Sequence, residues 1–287
     1  MKNLSINKSY DGKKLITYLQ DTFPSLRQSV IFKALRNKDI RINGVKIKEN
    51  ATLHENDIVT LYILDRFLTS SFSPEVIYED EHILIVNKPA GLEVVGDTNS
   101  LTALLRTHFF NPQLSPCHRL DCNTCGLVLF AKDAESLAIL LNKFKNREIE
   151  KQYLAKVYGI PKVPTATLEA FLFKDSKKSR VYISDTFKKG YVKIKTSYST
   201  VSVDKQKNIS VLDVVLHTGK THQIRAHLAH IGLPIIGDEK YGNFEINKRE
   251  HCRVQSLQSY KLGFHFTSDS GILSYLDGKE FSISSVF

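Results

Sequence analysis

The chain has 287 residues, 42% of them hydrophobic and 24% charged, a balance that supports a buried core and excludes a disordered chain. Lys and Arg number 40 against 30 Asp and Glu, a formal net charge of +10, which points to a polyanionic partner as well as to solubility. No run of about 18 apolar residues occurs, and the opening MKNLSINKSYDGKK lacks the apolar stretch of a signal peptide, so no membrane span is expected and the chain is read as cytoplasmic. The 4 cysteines, Cys117, Cys122, Cys125 and Cys252, are then expected as thiols.

At about 150 residues per domain, two domains are expected. Residues 1–66 read as a unit of their own. Ile16, Leu19 and Phe23 recur at helical spacing, Pro24 interrupts, and the pattern resumes from Ser29 to Leu35 with Val30, Ile31, Ala34 and Leu35, predicting two short helices. Ile40 to Ile47 alternates around Asn43-Gly44, a hairpin signal, and Ile58 to Ile63 supplies a further strand. Basic residues gather on the second helix and the hairpin: Arg27, Lys33, Arg36, Lys38, Arg41, Lys46 and Lys48.

The stretch DGKKLITYLQDTFPSLRQSVIFKALRNKDIRINGVKIKENATLHENDIVTLYI resembles the S4-type RNA-binding domain. That resemblance implies a helix pair and small sheet offering one basic face to structured RNA, with Lys33, Arg36 and Arg41 among its contacts. Residues 67–74, rich in Ser and Thr and ending in Pro74, read as a linker.

From residue 75 to 287 many short β-rich runs alternate with fewer helical patterns. The strands expected include Ile83 to Val86, Leu127 to Phe130, Tyr153 to Tyr158, Val192 to Thr196 and Val211 to Leu216; the helices are Leu101 to Phe109, Ala134 to Phe144 and Thr221 to Ile231. This predicts an α+β domain on a mixed, largely antiparallel sheet. In the last helix Ile224, Leu228 and Ile231 form the expected buried stripe while Arg225 projects from another face, and the opening at Thr218 to Thr221 offers free backbone N–H groups to a phosphate.

Gly219-Lys220-Thr221 is not a P-loop, because Val214 stands where that motif needs its first Gly. His217, His222, His227 and His230 lack an acidic third ligand at close spacing, and Cys122 and Cys125 lack a second ligand pair, so no metal site is expected.

HRLDCNTCGLVLFAKD at 118–133, EKQYLAKVYG at 150–159, LHTGKTHQIRAHLAHIGLPIIGDEKYG at 216–242 and VNKPAGLEVV at 86–95 together resemble the RluA-like family of RNA pseudouridine synthases, in the family's order. The resemblance implies the pseudouridine synthase fold and these roles: Asp121 as nucleophilic carboxylate, Tyr153 stacked on the target uracil, Arg225 ion-paired with Asp121, and Arg119 holding RNA with the base flipped out. Lys220 and His222, in the third of these motifs, are placed with Arg119 among the RNA contacts.

Isomerising uridine changes no oxidation state and consumes no energy, so no cofactor is expected. The partner is structured RNA, with large-subunit ribosomal RNA as the expected target and transfer RNA as the alternative; a monomer without an obligate protein partner is expected. The competing class is a non-catalytic RNA-binding or ribosome-assembly protein on the same fold.

Overall fold

The computed structural model describes residues 2–23, 26, 28–63, 72–97, 99–252 and 254–287. Of the expected linker, residues 67–71 lie outside the described residues, as do Pro24 and Arg27. The chain divides into two compact units, Met1–Ser73 and Pro74–Phe287.

In the first unit, β1 (Lys2–Ser5), α1 (Leu15–Thr22), α2 (Gln28–Asn37), β2 (Ile40–Ile42), β3 (Val45–Lys46) and β4 (Ile58–Leu61) follow in order, with sheet order β1-β4-β2-β3. Leu15 and Leu19 from α1, Ile31 and Leu35 from α2, and Ile40, Val59 and Leu61 from the sheet are all buried in one cluster. The hairpin falls where Asn43-Gly44 predicts it. Asn43 at φ 50° and Gly44 at φ 82° take the two positive φ values that a tight primed turn requires.

The second unit contains β5 (Glu75–Glu79), β6 (Ile83–Lys88), α3 (Leu101–His108), β7 (Ser115–Pro116), β8 (Cys125–Ala131), α4 (Ala134–Lys145) and β9 (Ile149–Tyr158). After these come β10 (Thr165–Asp175), β11 (Arg180–Ser184), β12 (Val192–Asp204), β13 (Ile209–Leu216), α5 (Gln223–His230), α6 (Phe244–Arg249), β14 (Leu257–Phe264) and β15 (Glu280–Ser282). The sheet order is β11-β10-β12-β13-β9-β14-β8-β6-β5, with β7 added to β8 and β15 to β14. Described pairings are antiparallel except β8 with β14.

That parallel pair positions the site. Parallel neighbours begin at the same end, so the turn leading into β8 lies beside the start of β14, and β14 passes Ser259 opposite Tyr153 of β9. β8 is an unbroken apolar run, Gly126 to Ala131 being buried, as expected of a strand covered on both faces. Ile83, Ile85, Leu127 and Leu129 pack with Leu140 of α4 and with Leu262 and Phe264 of β14 in one core.

β8 can approach β14 this closely only through Gly126. Its φ is 112°, and a Cβ there would overlap the Ser259 carbonyl oxygen. Gly126→Ala should therefore lose about 2–4 kcal/mol of stability, read by urea unfolding.

Candidate active site

Asp121 occupies the turn before β8, and several hydrogen bonds hold that turn. The Thr124 amide donates to the Asp121 carbonyl at 3.0 Å, and the Gly91 amide to the Cys122 carbonyl at 2.9 Å. Lys88, fully buried at the end of β6, donates from Nζ to the carbonyls of Leu92 (2.7 Å), Cys122 (2.9 Å) and Pro89 (3.0 Å). The VNKPAG segment thus fastens the backbone that carries Asp121.

Arg225 reaches the same point from α5. Its Nη1 donates to Asp121 Oδ2 at 2.8 Å, while Nε and Nη2 donate to Asp238 Oδ2 at 2.6 Å and Oδ1 at 3.0 Å. Asp238 also accepts the amides of Lys240 (2.8 Å) and Tyr241 (3.0 Å) on Oδ1. Its side chain is wholly buried, whereas that of Asp121 keeps 23% of its surface and remains reachable from the cavity.

Burial works against the charge on Arg225, but the hydrogen bonds and charges of Asp238 and Asp121 outweigh it and raise its pKa above the ordinary arginine value. Burial likewise disfavours the Asp238 carboxylate, yet the bond to Arg225 and the two backbone amides bring its pKa below the usual range.

His222 completes the surroundings of Asp121. Its Nε2 is 3.8 Å from Asp121 Oδ2, and its Nδ1 is 2.9 Å from the Tyr241 hydroxyl. That hydroxyl accepts the Val181 amide at 2.8 Å and so can donate to Nδ1, which leaves the hydrogen of neutral His222 on Nε2, facing the carboxylate. Burial lowers the His222 pKa, against the opposing pull of Asp121.

A cavity of about 310 Å³ opens here, lined by Asp121, Tyr153, Lys151, His118, Leu257 and Arg225 among others, at the small end of the roughly 300–1,000 Å³ found for ligand pockets. Tyr153 is buried in its wall, and burial, with the charge of Asp121, raises its hydroxyl pKa. Arg119, exposed, lines both this cavity and an adjoining one of about 480 Å³ that also includes Lys174, Arg180 and Lys240. Lys220 and His222 line the first cavity. Lys33, Arg36 and Arg41 belong to the first unit, with Lys33 and Arg36 exposed on α2 and the Arg41 guanidinium 4.9 Å above the Tyr62 ring.

The α5 region differs from the expected pattern. The helix begins at Gln223, not within Thr218 to Thr221, because the Gln223 side chain closes that segment: its Oε1 accepts the Lys220 amide at 3.1 Å and the Thr218 hydroxyl at 2.9 Å. Nor is there a single buried stripe. Gln223 to Leu228 are all buried, Arg225 included, while Ile231 caps the helix and is 38% exposed.

The four histidines of this region have separate partners. His217 meets Ser197, His227 meets Thr196, and His230 meets Asp185. Among the described residues no group of three His, Cys, Asp or Glu side chains is placed to hold a metal ion.

Asp238, Tyr241 and Lys88 are site residues that the motif reading left without a role. Asp238 and Tyr241 stand in the quoted GDEKYG and Lys88 in VNKPAG, so the signal was present as residues but not as partners.

A charged triad thus borders a cavity walled by a tyrosine, an arrangement that can present a carboxylate to a bound molecule. Residues 82–230 match the RNA pseudouridylate synthase family. Relatives include ribosomal large subunit pseudouridine synthase C of Buchnera aphidicola, 28% identical over 91% of this chain and 88% of its own. An uncharacterized RNA pseudouridine synthase of Mycoplasma capricolum is 31% identical over 97% of this chain and 96% of its own. The structure of human RNA Pseudouridylate Synthase Domain Containing 1 shares the fold, with TM-score 0.59 and 22% identity over 76% of this chain and 93% of that one. The chain belongs to the RNA pseudouridylate synthase family and is an enzyme that forms pseudouridine in RNA.

Replacing Asp238 by Asn would set an amide N–H₂ against the buried guanidinium. Asp238→Asn should cost about 3 kcal/mol in urea unfolding and lower activity with it. Because the Asp238 pKa is lowered by folding, its stabilisation is complete above the unfolded carboxyl value, about 3.9, and is lost as pH falls through the lower folded value. Stability measured from pH 6 downward should fall with acid more steeply in the parent than in the Asn variant.

Proposed function

We propose that the enzyme converts uridines of large-subunit ribosomal RNA to pseudouridine, with Asp121 as nucleophile, Tyr153 stacked on the target uracil and Arg225 orienting the carboxylate. The observation that carries this is the 2.8 Å bond from Arg225 to Asp121 at the wall of a cavity shared with Tyr153. A bidentate grip on Asp238 leaves the third guanidinium edge for Asp121, a division of contacts that Lys cannot copy.

The reaction breaks the N1–C1′ bond, turns the base, and joins C5 to C1′. The carboxylate can attack C1′ and displace the base, or add to C6 of the ring. In either route C5 loses a proton and N1 gains one, with no net change in atoms or electrons, so the step consumes no redox partner or co-substrate. Taking a base out of folded RNA costs a few kcal/mol, and stacking on Tyr153, about 1–3 kcal/mol, offsets much of that. Arg119, at the mouth of the cavity, and Lys220 and His222, on its wall, are the RNA contacts nearest the reacting base in this reading.

Residues 1–66 act as an S4-type RNA-binding domain in this reading, joined by 67–74 to the catalytic domain at 75–287. In its favour, Lys33 and Arg36 lie three residues apart on the exposed side of α2, away from buried Ile31, Ala34 and Leu35, and Arg41 is on the adjacent chain segment β2. The ribosomal target is supported by the name of the Buchnera relative. A monomer working in the cytoplasm belongs to the same proposal; no described helix is long and apolar enough to cross a membrane.

Tritium at uridine C5 is released to water on each turnover. Asp121→Asn should reduce that release from a large-subunit ribosomal RNA transcript by at least about 10³-fold, with RNA affinity within several-fold of the parent. Near-parental release would remove Asp121 from the mechanism.

A further inference from the structure

Lys151 stands two residues before Tyr153 on β9, so the two side chains leave the same face of the strand, and both line the cavity that contains Asp121. Its ammonium has no carboxylate partner among the described residues. Instead it lies over the Phe144 ring, 4.6 Å from the centroid. Burial pushes its pKa down to about 8.

His118 borders the same place, its ring 5.2 Å from that of Phe144. Burial, helped by the charge of Lys151, pushes its pKa down to about 3, so it is neutral. Its Nε2 accepts the Leu129 amide at 3.1 Å, which leaves the hydrogen on Nδ1; that nitrogen is buried and has no hydrogen-bond partner among the described residues. A cation without a counter-ion and a neutral donor without an acceptor therefore meet around one ring at the cavity wall. Structural ion pairs elsewhere in this unit look different: buried Lys143 is held by Glu148 at 2.7 Å.

Asp121, on the same cavity, is paired with Arg225; what Lys151 lacks among the described residues is an anion of its own, and the reaction supplies one. If Asp121 attacks C1′, the N1–C1′ electron pair departs with the base and spreads onto the carbonyl oxygens of the uracil anion. If it adds to C6, the ring electrons move to a carbonyl oxygen as an enolate. Both routes put negative charge on the pyrimidine oxygens, and only in mid-reaction. An ammonium waiting there binds the transition state better than the neutral uridine, which is the condition for raising kcat.

We propose that Lys151 is a further catalytic residue, whose ammonium contacts a carbonyl oxygen of the reacting pyrimidine and neutralises the charge it carries in mid-reaction, with His118 Nδ1–H as a neutral donor beside it. No proton leaves Lys151. As C5 bonds to C1′ and the carboxylate is released, the ring gives up its charge, the C5 proton departs and N1 is protonated. The proposal rests on the pseudouridine synthase reading of this cavity.

The groups around Lys151 separate its titration from theirs. From the segment before β8 come His118, Arg119 and Asp121; from β9, Tyr153; from the α5 region, Lys220, His222 and Arg225. On β14, Lys151 lies opposite Leu262, with neighbouring Lys261 bound to Glu280 and Tyr260 turned to Gln152 and Asp213. α4 presents Phe144. His118 and His222 titrate below neutrality, and Tyr153 and Arg225 far above it.

The test compares the parent, Lys151→Met and Lys151→Arg in the full chain, by tritium release from a large-subunit ribosomal RNA transcript between pH 6 and 10. Turnover by the parent tests the underlying reading, and the contrast among the three proteins tests Lys151. Met keeps the volume without the charge, so the fold is retained, with a melting temperature no lower than the parent's. Its kcat should fall about 10²- to 10³-fold with KM for RNA within threefold. The parent should lose activity above about pH 8 as the ammonium deprotonates; the Met variant should lack that decline, and Arg should regain at least tenfold over Met and hold its activity to higher pH. A Met variant within threefold of parental kcat, or one that keeps the parental alkaline decline, would overturn the proposal.

Discussion

A single guanidinium shared between two carboxylates organises this enzyme. Arg225 gives two of its edges to Asp238, which is wholly buried, and one to Asp121, which is not. The asymmetry matters because buried charges are tolerated only when paired and hydrogen-bonded. Asp238 anchors the cation from below with two backbone amides behind it, and the cation in turn fixes the carboxylate that faces the cavity.

The rest of the catalytic unit can be understood as what brings those three residues together. Asp121 arrives on the turn before β8, Arg225 on the helix after β13 and Asp238 on the turn that follows that helix. Parallel pairing of β8 with β14 puts the first beside the centre of the sheet, and Gly126 lets the two strands touch. Lys88 then ties the Asp121 turn to the end of β6 through the Cys122 carbonyl, its other two bonds going to Pro89 and Leu92 of its own segment. The contacts of Arg225 with Asp121, of Lys88 with Cys122 and of Gly126 with Ser259 each span a long sequence separation, so the site exists only in the folded unit and its precision is that of the sheet.

Much of this was legible from residues alone, and the exceptions are instructive. Alternation and turn chemistry located the Asn43-Gly44 hairpin and the central strands, because those signals are local. The start of α5 was misplaced, since what sets it is the Gln223 side chain folding back onto Lys220 and Thr218. Burial of Arg225 was also misjudged: an amphipathic pattern puts a charge outside, and only the distant carboxylate Asp238 makes it admissible inside. Lys151 stands in EKQYLAKVYG, but its lack of a carboxylate partner among the described residues is a property of packing against Phe144 and appears in no spacing rule.

The central claim is that Asp121, Arg225 and Asp238 act as one unit in turnover. A double-mutant cycle on kcat, using Arg225→Gln, Asp238→Asn and the pair with tritium release as the readout, addresses it most directly. Once Arg225 is gone, Asp238 has nothing left to orient, so the double variant should be about as slow as Arg225→Gln alone. Losses that simply multiply would mean that the two residues act independently, and would contradict the clamp.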